Sequence, residues 1–84
     1  MDRQEILNRA VKTIYECVPE LDGVELREDT SVNSDMGIDS MSFILVVCKL
    51  EEEFDIRIPN RQWSRISTLG QLADAIEEYK KEKL

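Results

Sequence analysis

The sequence contains no histidine in 84 residues. That removes the side chain most used for proton transfer near neutral pH, and with it the commonest metal ligand. Its three glycines are scattered, so no glycine-rich phosphate loop exists. Nucleophile elbows and paired-cysteine metal spacings are absent too. The two cysteines, Cys17 and Cys48, could in principle pair, but nothing else in the sequence suggests a secreted disulfide scaffold. No apolar run approaches the ~20 residues needed to span a bilayer. Asp2, Arg3, Gln4 and Glu5 form neither the apolar core of a signal peptide nor an arginine-rich transit pattern. A reducing cytoplasm is the expected location. Carboxylates are plentiful, but none sits in an acid/base arrangement, and so small a chain lacks the bulk for a water-excluding cleft. An enzyme is not expected.

What the chain has in excess is negative charge. Eleven basic residues face 18 acidic ones, for a net charge of −7. Nucleic acid and anionic membranes are poor partners for such a surface. Basic protein surfaces complement it, since opposite fields steer encounter; the plainer alternative is that acidity keeps a small protein soluble. The length fits one domain over residues 1–84, with no repeat, linker or low-complexity tract, and a monomer is expected.

Apolar periodicity predicts an all-α fold. From about Asp2 to Val18, the residues Ile6, Leu7, Ala10, Val11, Ile14, Cys17 and Val18 share one broad arc, with Tyr15 at its edge. Pro19 closes that helix. A connection of about twenty residues comes next, long enough to be unusual in a compact domain. Leu21, Val24, Leu26 and Val32 are spaced as apolar pegs along it. Asp29, Ser31, Asn33 and Asp35 alternate like calcium ligands, but Ser34 stands where a calcium loop turns on glycine and Ser40 where it needs glutamate. No metal site is expected. Later, Asn60 is placed to cap a short helix through about Arg65 that carries Trp63 as a packing residue. Thr68 and Gln71 form a Thr-x-x-Gln capping box for a last helix with Leu69, Leu72, Ala73, Ile76 and Tyr79 inward.

The informative stretch lies between. Gly37 breaks the chain, Asp39 is a good helix cap, and Ser40 opens a helical pattern that runs to Phe54. A phosphate held on Ser40 would lie at the favourable end of the helix dipole. Phe43, Val46, Val47, Leu50 and Phe54 make one stripe able to face a core. Met41, Ile44, Leu45 and Cys48 make a second, on another side. A small domain cannot easily hide both. The acidic triplet Glu51–Glu53 runs against the helix dipole, so helix stability does not explain it. It is either a solvated face or a landing patch for basic partners.

These residues carry a resemblance. Asp39-Ser40-Met41 resembles the Asp-Ser-Leu attachment motif of acyl carrier proteins, and Asp35-Met36-Gly37 is similar to the Asp-Leu-Gly before it. Glu51-Glu52-Glu53-Phe54-Asp55-Ile56, Ile58-Pro59 and Ile66-Ser67-Thr68-Leu69-Gly70 resemble the later segments of that family, so the likeness spans nearly the whole chain. It implies a four-helix bundle of three long helices and one short, with a long loop between the first two. It also implies a covalent 4′-phosphopantetheine arm on Ser40, placed by a phosphopantetheinyl transferase using coenzyme A, with Asp39 as the motif neighbour that the transferase recognises. Acyl groups would ride on that arm as thioesters to acyl transferases, ketosynthases or acyl-activating enzymes of fatty acid or related biosynthesis. Met41, Ile44, Leu45 and Cys48, with Glu51 and Glu52, match the face that such enzymes grip.

The sequence departs from the fatty-acid pattern at that face. Ser42 and Leu45 stand where carboxylates are usual, and Lys49, Arg57, Arg61 and Arg65 add positive charge nearby. More hydrophobic docking is expected, and a carrier dedicated to polyketide, aminoacyl or specialised lipid assembly stays open. Gly37-Ile38-Asp39 fits the acyl type better than the peptidyl type. A small helical module that binds a partner helix and is never modified would use the same stripe.

Overall fold

Asp2 starts the first helix. Its carboxylate accepts from the Glu5 amide at 2.9 Å, satisfying one of the amides that a helix start leaves unpaired. In the computed structural model, residues 2–21, 23–32 and 40–83 are described, the side chains of Ser40, Glu82 and Lys83 excepted. Among the described residues the regular elements are helices: α1 (Arg3–Cys17), α2 (Ser40–Phe54), α3 (Asn60–Trp63) and α4 (Leu69–Lys83), with a 3-10 turn at Pro19–Leu21. Three helices of 15 residues and one of four make the all-α bundle that the sequence predicts.

The core is built from the apolar stripes. Ile6, Ala10, Ile14 and Val18 from the α1 region meet Val46, Val47, Leu50 and Phe54 of α2 and Leu69, Leu72, Ala73 and Ile76 of α4, and all are buried. α1 packs against both other long helices. On the seam with α2, the Arg9 guanidinium lies 5.6 Å from the Phe54 ring centroid and 3.6 Å from the Glu53 carboxylate. Thr13, which the arc leaves out, is buried on the same seam, and its hydroxyl reaches Glu53 at 3.5 Å.

α2 ends in a Schellman motif. The Ile56 amide donates to the Glu51 carbonyl at 3.0 Å and the Asp55 amide to the Glu52 carbonyl at 3.4 Å. Asp55 takes the left-handed turn this needs, at φ 55°; aspartate accepts that conformation more readily than most residues. Lys80 Nζ crosses from α4 to the Phe54 carbonyl at 2.8 Å. A cation at that end offsets part of the penalty that the acidic triplet imposes on the α2 dipole.

The connection after α1 is pinned by main-chain bonds more than by apolar pegs. Leu21 and Val32 are buried and Leu26 is half-buried, but the Val24 side chain is exposed, and it is the Val24 carbonyl that is held, by the Tyr15 hydroxyl. Farther along, the Gly70 and Leu69 amides donate to the Glu28 and Thr30 carbonyls at 2.8 and 2.9 Å, and the Val32 amide donates to the Ser67 carbonyl at 2.9 Å. Two amides at the start of α4 thus take their acceptors from the loop. The expected capping box adds a third: the Gln71 amide donates to Thr68 Oγ1 at 3.2 Å, and Gln71 Oε1 accepts from the Ser67 and Thr68 amides. Gly70 suits the close approach here, because a Cβ would crowd the Glu28 carbonyl oxygen at 3.0 Å. Arg3 fastens the same corner, with its guanidinium on Glu28, Asp74 and Glu77 and donating to the Gly70 carbonyl at 3.2 Å. Those bonds raise its already high pKa further, hydrogen bonding to Glu28 first.

At α3 the expectation for Asn60 is corrected. Pro59 occupies the cap position, Asn60 is the first helical residue, and no side chain caps the helix. Proline presets the backbone angle for helix entry, and a piece this short starts without a polar cap. Trp63 is half-buried as a packing residue, its ring edge-on to Phe43 with centroids 6.4 Å apart and its Nε1 donating to the Ile58 carbonyl at 3.0 Å.

Candidate functional site at the head of helix α2

Ser40 is the first residue of α2. It therefore stands where the aligned peptide dipoles leave partial positive charge and where helix amides lack intrahelical partners. Asp35, Gly37 and Asp39 lie outside the described residues, as do Asn33 and Ser34 of the rejected calcium pattern. Among the described residues, no cluster of His, Cys, Asp or Glu is placed to hold a metal ion.

Below Ser40, α2 turns one face to the core and another to solvent. Val46, Val47, Leu50 and Phe54 are buried, whereas Met41, Ile44 and Leu45 are 74%, 44% and 47% exposed. Cys48 is exposed on the same side, and Phe43 is half-buried against Trp63. The second apolar stripe is thus open and lies along the helix that Ser40 begins. At about 100° per residue, positions 41, 44, 45 and 48 span roughly a quarter turn of the helix surface.

The acidic triplet divides into three roles. Glu51 is half-buried, and its carboxylate accepts the Ile58 amide at 2.7 Å, so it braces the chain leading into α3. Glu53 faces α1, on Arg9 and Thr13. Glu52 is exposed and engages no side chain among the described residues. The positive residues also separate. Lys49 acts on Cys17 and so sits toward α1, while Arg57, Arg61 and Arg65 are exposed in the segment that follows α2. Burial pushes the Cys17 thiol up from its ordinary pKa, and Lys49 partly opposes the shift. Two features escape a reading of the sequence: the structural use of Glu51, and the separation of Lys49 from the three arginines. The spacing of those arginines, four residues apart with no acid between them, is the one signal the sequence offers.

A 4′-phosphopantetheine arm fits this arrangement. It needs a hydroxyl at the surface beside an anion-favouring helix end. Ser40 supplies a residue of that type at the helix start, and the next residue, Met41, is the most exposed large apolar side chain among the described residues. No described helix is long and apolar enough to cross a membrane.

Comparison with known proteins agrees with this geometry. Residues 11–76 match the family described as "Phosphopantetheine attachment site". The chain is similar to an acyl carrier protein of Clostridium acetobutylicum, at 31% identity over 62 residues that cover 74% of this chain and 80% of the relative. It is similar also to an acyl carrier protein of Prochlorococcus marinus, at 34% identity over 80 residues that cover 95% of this chain and 99% of the relative. The family match from α1 to α4 and the likeness to two acyl carrier proteins make this chain a member of the acyl carrier protein family, the proteins that bear covalently attached 4′-phosphopantetheine.

Proposed function

We propose that Ser40 is the attachment point and that the chain presents acyl groups to enzymes of fatty acid or related acyl-chain biosynthesis. When bound, the arm supplies a thiol that holds the acyl group as a thioester. The protein contributes position and recognition and is itself no catalyst. Ser40 offers a hydroxyl at the start of a helix whose dipole favours the phosphodiester, and Asp39 serves the modifying transferase as the neighbouring recognition residue.

The partner surface is the stripe of Met41, Ile44, Leu45 and Cys48, with Glu52 at its far end. Glu51 belongs to the same helix but acts through the backbone it holds. Covering what Met41, Ile44 and Leu45 now expose is worth about 2–5 kcal/mol, taking ~1.5–3 kcal/mol for each fully buried side chain. That is enough for transient docking and too little for a permanent complex. The apolar character of this stripe also favours a second reading, a carrier dedicated to one specialised acyl pathway.

The observation that carries the proposal is a serine opening a helix whose outward face is apolar and open. Incubation of the purified chain with coenzyme A, magnesium and a broad-specificity phosphopantetheinyl transferase tests it, read by intact mass. One arm is expected on the wild type and none on Ser40→Ala. An unmodified wild type, alongside a control carrier that is modified, refutes the assignment and favours an interaction module.

A further inference from the structure

The six arginines of this chain fall into two groups. Arg3, Arg9 and Arg27 each meet at least one carboxylate. Arg57, Arg61 and Arg65 are all exposed and meet none among the described residues. With 18 acidic residues against 11 basic ones, an arginine placed at random would readily find a carboxylate. Residues 57–65 instead hold three arginines and no acid. Solubility does not call for that, since the acids already supply the charge.

Packing holds the three on one short unit. The Gln62 amide donates to the Pro59 carbonyl at 2.9 Å and the Arg65 amide to the Gln62 carbonyl at 3.0 Å. Trp63 Nε1 ties α3 back to Ile58, and Glu51 ties Ile58 to α2. Those ties fix the unit's place around α2. Seven residues are close to two turns of helix, so Glu51 lies nearly under Ile44. The Glu51 contact therefore starts the 57–65 segment at the edge of the apolar stripe that carries Ile44. Phe43, nearly above the buried Leu50, ties Trp63 of the same unit to the inner face of α2. Lys49 and Glu53 mark the opposite side, toward α1.

We infer that Arg57, Arg61 and Arg65 form one rim of the docking surface and receive carboxylates of a partner protein whose contact face is apolar at its centre and acidic at that edge. This inference rests on the carrier reading and gives its partner a chemistry opposite to the basic surface that the net charge invites. Guanidinium forks pair with carboxylates in bidentate fashion, and rim charges chiefly set encounter rate, orientation and salt dependence. A bilayer or nucleic acid is a worse match, because an extended polyanion also meets the carboxylates over the rest of this surface.

The test is a nuclear magnetic resonance titration of the full chain with designed amphipathic helical peptides that share one leucine face. One peptide is flanked by glutamates and the other by lysines; a short DNA duplex and phosphatidylglycerol-containing vesicles are the other two probes. The glutamate-flanked peptide is expected to bind about tenfold tighter than the lysine-flanked one, a preference lost at high salt. Its shifts should centre on residues 44–48 and 56–66. Replacing Arg57, Arg61 and Arg65 together by glutamine should abolish the preference; should that variant not fold, the wild-type preference decides alone. Equal or tighter binding of the lysine-flanked peptide overturns the inference, as does DNA or vesicle binding at the same amides at equal or lower concentration. Intact mass after transferase treatment separates the two readings. A chain that takes the arm but prefers lysine loses the arginine rim alone, whereas one that prefers glutamate but takes no arm loses the carrier reading.

Discussion

Removing the Glu51 carboxylate tests whether the acidic triplet is a docking patch or part of the frame. In Glu51→Ala the Ile58 amide loses an acceptor now 2.7 Å away, and Ile58 is buried. A hydrogen bond to a charged acceptor is worth about 1.5–3 kcal/mol, and the amide left behind carries a desolvation penalty of similar size. Glu51 is only half-buried, so water relieves part of that loss. A loss of about 1–2 kcal/mol is expected. For a domain of this size each kcal/mol moves the midpoint by about 4–8 °C, so the melt should fall by roughly 4–15 °C. Far-ultraviolet circular dichroism measures it. Trp63, the one tryptophan, adds a local signal, since its indole is hydrogen-bonded to the Ile58 carbonyl. The control is Glu52→Ala, which removes an exposed charge with no side-chain partner among the described residues and should shift stability by no more than about 0.5 kcal/mol. Glu51→Gln keeps an acceptor and should fall between. Equal melts for the two alanine variants, with unchanged Trp63 emission, would refute the bracing role and return Glu51 to the partner surface.

The loop and the cysteines give two further expected outcomes. Gly70→Ala sets a Cβ 3.0 Å from the Glu28 carbonyl oxygen and should cost about 1–3 kcal/mol; hydrogen exchange should show the Gly70 amide losing protection while α1 keeps its own. Iodoacetamide should alkylate Cys48 well before Cys17, because Cys48 is exposed while burial holds the Cys17 thiol neutral to higher pH; peptide mapping after partial reaction reads the order, and equal rates would contradict the burial of Cys17.

What the sequence reveals of this molecule is what depends on near neighbours. The Thr68–Gln71 capping box closes over three residues, and the two stripes of α2 come from spacing alone. Both are legible for that reason. Asn60 misleads because a cap preference is weak evidence where a helix has only four residues and Pro59 already sets the entry angle. Val24 misleads because apolar spacing says nothing about which group is held, and there it is the carbonyl. Contacts that bridge distant positions leave no trace in the local pattern. Lys80 on the Phe54 carbonyl and the Arg3 cluster arise only once the helices have packed, and Glu51 on the Ile58 amide only once the chain has turned back after α2.

The same distant contacts account for how a small bundle keeps an apolar face open. α2 is held toward α1 by Arg9 on Glu53 and Phe54, at its C-terminus by Lys80, and toward α3 by Glu51 on Ile58 and Phe43 on Trp63. Its two flanks and its inner face are engaged, and the stripe of Met41, Ile44, Leu45 and Cys48 is left outward, with Glu52 beside it. A helix so anchored cannot roll to bury that stripe without breaking contacts on both sides, each worth about 1 kcal/mol or more where partly buried. The exposed face is therefore stable in the free protein, and on the proposed reading a partner would meet it with little reorganisation. Weak docking then remains fast and reversible, as a carrier that visits several enzymes requires.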